Sequence, residues 1–167
     1  MYCVVMAVGA VLLVSGLGVS GTRLARGGAA RLTPAMRRAL ALGLWLSCVL
    51  TLVTAGVLSS GTSHFVGTPW PDAATLPLLG WSAEVGDLRP AHFLALHAMQ
   101  ALPLAPLLAE RLAPAGALRF VGIAAALWVA LTAAVFAVAG CPATTRRAGA
   151  TLSHTRLRPM ASAETTL

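Results

Sequence analysis

The chain has 167 residues, 57% of them hydrophobic and 10% charged, with a mean hydropathy of +0.81. An average soluble domain carries roughly 25% charged residues, so this composition excludes an ordinary water-soluble domain and points to lipid as the solvent. The net charge of +7 comes from arginine alone, with no lysine; these arginines flank apolar runs and no nucleic-acid motif accompanies them, so the expected contact is anionic lipid headgroups and not nucleic acid.

Four apolar runs have the length of about 20 residues that a membrane span needs: residues 2–20, 39–60, 90–109 and 117–140. They predict an all-α integral membrane bundle of four transmembrane helices, with one long outer loop at residues 61–89 and a mobile basic tail at 141–167. The first run, MYCVVMAVGAVLL, lacks the positively charged start of a cleaved signal peptide, so a retained helix is expected. Arg23, Arg26, Arg31, Arg37 and Arg38 follow it with no acid among them. Short arginine-rich loops stay cytoplasmic, which places this loop inside and the 61–89 loop and both termini outside. Arg146, Arg147, Arg156 and Arg158 in the tail argue the other way, but they lie farther from a span.

The second run repeats small residues every four positions, at Gly43, Ser47, Thr51, Ala55 and Ser59, and the fourth does so at Gly122, Ala126, Ala130 and Ala134. Such rows let helix backbones approach closely, and both are expected to be helix contacts. Between the second and third runs, Pro69, Pro71 and Pro77 stiffen the loop, Trp70 and Trp81 suit the headgroup layer, and LPLLG at residues 76–80 is apolar. This loop is expected to lie as a cap on the outer surface.

The third run opens with GDLRPAHFLALHAMQALPL, residues 86–104, which brings Asp87, Arg89, His92, His97 and Gln100 into an otherwise apolar segment. On a helix His92, Gln100 and His97 fall at about 0°, 80° and 140°, and Gln100 lies about 12 Å deeper than His92. The three would line a polar groove running inward, with Asp87 and Arg89 at its entrance and His64 above it, suited to a small ligand or to protons. Pro103 and Pro106 mark a bend below it. A purely structural reading stands beside this one: Asp87 as a helix cap, Arg89 as a headgroup anchor, and the histidines as bonds between helices. His64, Asp87 and His92 are candidate metal ligands, although no tight ligand spacing such as H-E-x-x-H is present. Haem is a further candidate, but His92 and His97 point about 140° apart and cannot grip one ring from both faces. Cys48, in the middle of a span, makes a poor nucleophile; Cys3 and Cys141 lie where an oxidising compartment would let them pair.

The strings SHFVGTP and LPLLGWSAEVGDLRPAHFLALHAMQALPL resemble a segment of a family of bacterial polytopic membrane proteins of unknown activity. That segment carries SH-x-VG, then GLPLLGWS, then GDLR-x-AHF-x-GLHA-x-Q-x-LPL, and the resemblance covers about residues 31–108. Ala95 stands where a glycine is usual, and a glycine-rich stretch expected near residues 72–75 is missing. Members of the family are longer at the N-terminus, so the resemblance implies a shortened version or the C-terminal part of a larger bundle. It supplies no reaction, cofactor or substrate. Beside the ligand-binding groove stand two alternatives: a structural or assembly subunit, in a homo-oligomer or with other membrane proteins, and a haem or metal redox protein.

Overall fold

The computed structural model describes residues 2–27, 31–61, 63–66, 81–82 and 85–140. Their order is α1 (Tyr2–Arg26), α2 (Pro34–Ser60), β1 (Phe65–Val66), β2 (Gly86–Asp87), α3 (Arg89–Ala101), α4 (Leu104–Leu112), a 3-10 turn (Pro114–Gly116) and α5 (Ala117–Gly140). The described residues are all-α apart from two short strands. Three of its helices are long and apolar enough to cross a membrane, and α3 with α4 makes a fourth if the bent pair is one span. The expected tail, with Cys141, and the loop residues Trp70, Asp72, Pro77 and Glu84 lie outside the described residues.

Helix ends explain why the elements outrun the apolar stretches. Thr33 caps α2, its hydroxyl accepting from the Met36 N–H at 3.2 Å, and Pro34 takes the first-turn position where a missing N–H does no harm. Arg37 and Arg38 therefore belong to α2. Arg23 and Arg26 close the last turn of α1, where positive charge complements the helix dipole.

α2 is the central helix, touching α1, α3, α4 and α5. Of its small-residue row, Gly43, Ser47 and Thr51 are buried, Ala55 is half-buried and Ser59 is exposed. A Cβ on Gly43 would lie 3.0 Å from the Met99 Cα, so this contact is close to backbone on backbone. The α5 row does not behave in this way. Ala126, Ala130 and Ala134 are exposed, and nothing lies within 4 Å of a Cβ added to Gly122. α5 instead buries Ala117, Val121, Ala125, Thr132 and Ala139. Its Trp128 Nε1 donates to the Leu94 carbonyl at 3.0 Å, which fixes the rotation of the helix against α3.

α3 and α4 meet at a 47° bend. Pro103 and Pro106 have no N–H to give the carbonyls four residues back. One of these, the Leu102 carbonyl, is recovered by the Ala105 N–H at 3.1 Å. At the far end of the bundle, β1 pairs with β2 antiparallel, Phe65 opposite Asp87 and Val66 opposite Gly86. This ladder pins the two ends of the 61–89 loop together over the start of α3.

Candidate functional site

The site grows from the β1–β2 ladder. The Leu88 N–H donates to the His64 carbonyl at 3.1 Å, which extends the pairing by one residue and delivers the chain into α3. Asp87 then stands one residue ahead of the helix cap, Leu88, with its carboxylate buried. Its Oδ1 accepts from the Arg89 N–H at 3.0 Å, so Asp87 satisfies one of the free N–H groups of the first turn from the position before the cap residue rather than as the cap itself. Arg89 folds back rather than reaching away, its Nη2 lying 2.7 Å from Oδ2 and its Nε 3.0 Å from Oδ1. Oδ2 also accepts from the Ser82 N–H at 3.1 Å, and the guanidinium lies 5.5 Å from the centre of the Phe65 ring. Arg89 is thus a clamp on Asp87 and Phe65, not an outward headgroup anchor.

Burial would raise the Asp87 carboxyl, but the hydrogen bond from the Arg89 side chain, then those from the Arg89 and Ser82 backbone, outweigh it and hold the group below its usual value. A depressed carboxylate stabilises the fold at a pH above its unfolded value of about 3.9, and that contribution is lost as pH falls through the lower folded value. Melting in detergent is expected to be insensitive to Asp87 from pH 7 to about 4 and to fall below it. Asp87→Asn should cost about 2 kcal/mol at pH 7 and flatten that acid limb.

Along α3 the buried row is Ala91, Ala95, Ala98 and then Leu102, and this row settles which half of the helix faces inward. At 100° per residue, His92 lies about 90° from the centre of the row, His97 about 130° and Gln100 about 170°. The three do not form an inward groove. His92, half-buried, meets α2, its Nδ1 3.0 Å from Thr54 Oγ1. The Thr54 hydroxyl also lies 2.8 Å from the Leu50 carbonyl, so it bridges the α2 backbone and the His92 ring. His97 Nδ1 donates to the Phe93 carbonyl at 2.7 Å, and its ring stacks on Phe93 with centroids 3.8 Å apart. Trp81 also meets Phe93 edge-on, with ring centroids 6.0 Å apart. Gln100 is exposed on this same outward half.

The metal trio is not assembled either. His64 packs on Phe65 with centroids 4.0 Å apart, His92 is turned to Thr54, and the Asp87 oxygens are occupied by Arg89 and Ser82. Among the described residues, no three His, Cys, Asp or Glu side chains come together as a metal site. A flat haem group is no better served, since His92 and His97 leave α3 on different sides. Cys48 is a buried thiol facing α1, its Sγ 3.1 Å from where a Cβ on Gly18 would stand.

Thr54, Ser82 and Trp128 were not among the sequence candidates, yet each holds a polar group of this region. Thr54 stands three residues after Thr51 on the α2 contact face, and an i+3 step would have found it. Thr51 itself is the exception among the described residues: its buried Oγ1 has no hydrogen-bond partner. An unpaired buried hydroxyl is destabilising by about 1–3 kcal/mol. Thr51→Val is therefore expected to raise the melting temperature in detergent, and a fall would show that the hydroxyl has a partner.

No family model, curated protein or solved structure matches the chain.

Proposed function

We propose that this chain is a multi-pass protein of the bacterial inner membrane and a subunit of a larger membrane assembly, with the outward half of α3 as its contact. One observation carries this reading: Gln100 is exposed on a helix inside the bundle's apolar length, about 16 Å along α3 from Arg89. His97 shares that half, with Phe93 stacked on it. Polar side chains in membrane spans face protein or a water-filled cavity, because hydrocarbon offers no hydrogen bonds. A partner helix presenting donors and acceptors would satisfy them. The resemblance to longer polytopic proteins points the same way.

The charge pattern supports the orientation. The ends of α1, α2, α4 and α5 that share one side of the bundle bring together Arg23, Arg26, Arg31, Arg37, Arg38, Arg111 and Arg119 against Glu110. The opposite side holds the paired Asp87 and Arg89. A cytoplasmic arginine-rich side follows from the positive-inside rule.

The test is the native size of the complex in mild detergent. The wild-type chain should migrate as a larger species, and Gln100→Leu should release the monomer without lowering its melting temperature. A chain that is monomeric in both forms contradicts the proposal. Ligand or proton handling would rest on His92, which borders neither the cleft beside Asp87 nor the larger cleft at the arginine-rich side.

A further inference from the structure

At the arginine-rich side, a cleft of about 400 Å³ opens between the end of α1, the start of α2 and the start of α5, bordered by Ala25, Arg37, Arg38, Leu42, Trp45 and Leu118. We infer that this cleft binds one anionic phospholipid, with Arg37 and Arg38 on the phosphate and an acyl chain along Leu42, Trp45 and Leu118. The inference is independent of the assembly contact on α3 and shares with it only the membrane placement.

Three observations carry it. First, neither Arg37 nor Arg38 has an ion pair or a side-chain hydrogen bond among the described residues. The one described acid on that side, Glu110, is engaged by the Thr33 hydroxyl. Second, the first turn of α2 holds no acidic residue. A helix N-terminus carries positive partial charge, so two arginines there are unfavourable for the protein alone and favour a bound anion. Guanidinium groups also match phosphate oxygens two at a time, which suits arginine better than lysine at such a point. Third, the floor is apolar and points the right way. Arg38, Leu42 and Trp45 follow an i, i+4, i+7 stripe, and Trp45 lies about 10 Å deeper along α2 than Arg38. A soluble phosphate has no use for that floor, whereas an acyl chain leaves its headgroup in that direction.

The floor is also held in shape. The Trp45 indole N–H donates to Thr22 Oγ1 at 3.1 Å. A Cβ on Gly21 would stand 3.1 Å from the Trp45 ring and 3.0 Å from the Ala41 carbonyl, so α1 and α2 are locked together behind the cleft. The volume falls within the range of about 300–1,000 Å³ typical of small-molecule sites.

The experiment is native mass spectrometry of the full chain in detergent, titrated with phosphatidylglycerol or with phosphatidylcholine of the same acyl chains. Phosphatidylglycerol is expected to bind at least tenfold more tightly. The double variant Arg37→Ala/Arg38→Ala should erase that preference, while Arg31→Ala/Arg111→Ala, which removes the same charge from the same side but not from the cleft, should keep it. Leu118→Trp, which fills the cleft without changing charge, should weaken binding at least tenfold. All variants are compared at matched melting temperature, and Gln100→Leu should bind lipid as the wild type does whatever its oligomeric state. Equal loss in the two arginine pairs would show diffuse attraction rather than a site and overturn the inference. Wild-type affinity in Leu118→Trp, or displacement of the lipid by millimolar inorganic phosphate, would assign the arginines to a soluble anion and overturn it as well.

Discussion

Gly86→Ala should destabilise the protein by about 3 kcal/mol or more, the upper end of what added methyl groups cost in packed interiors. A Cβ on Gly86 would overlap the Ala139 carbonyl oxygen, which is backbone and cannot swing aside, and would also sit 3.1 Å from the Val66 Cβ. Relief requires β2 to leave the end of α5, and with it would go the pairing of Val66 with Gly86 and the seat of Asp87. Gly122→Ala on α5 is the matched control. Its Cβ meets open space, and replacing a glycine within a helix gains about 0.5–1 kcal/mol. Thermal unfolding in one detergent should therefore move in opposite directions for the two variants. A Gly86→Ala protein as stable as wild type would mean that the strand pair does not rest on α5.

Ser47→Leu should cost about 2–4 kcal/mol, combining overpacking with lost interhelical bonds. Ser47 is fully buried; its Oγ donates to the Leu96 carbonyl at 2.9 Å and accepts from the Met99 N–H at 2.9 Å. One turn earlier, Gly43 sets how closely α2 and α3 approach. A leucine between them pushes the helices apart along the length that also carries the Thr54–His92 bond. Ser47→Ala removes the bonds alone and should cost about 0.6–1.7 kcal/mol. Leu46→Ile, on the half-buried neighbour, should stay within about 1.5 kcal/mol of wild type.

The helices were legible in the sequence because uncharged apolar runs of span length have few other uses. The α2 contact was legible because Ser47 and Thr51 are poor choices for a face turned to lipid. The bend was legible because Pro103 and Pro106 remove two backbone donors from one turn. The α5 contact was not, since alanine occurs on every side of that helix and the buried face is chosen by Val121, Thr132 and the Trp128 bond to Leu94. Nor was the direction of the α3 polar residues. Helical periodicity fixes the angles between His92, His97 and Gln100 but not which half faces the bundle. That choice is made by the alanine row at 91, 95 and 98, which lets α2 approach closely. The strand pair escaped notice because two residues on each side are too few to show an alternating pattern.

The α3 half that carries His97 and Gln100 faces away from the buried alanine row, and under the proposed function it is a contact surface with Gln100 at its centre. The most direct measurement is photo-crosslinking in intact membranes, with a benzophenone amino acid at Gln100 and, as controls, at Leu127 and Leu13, which are 65% and 79% exposed on α5 and α1. The account predicts one discrete protein adduct from position 100, at twice the chain's mass for a second copy or at another defined mass for a different subunit, with lipid adducts alone from the controls. Lipid adducts alone from position 100 would contradict it.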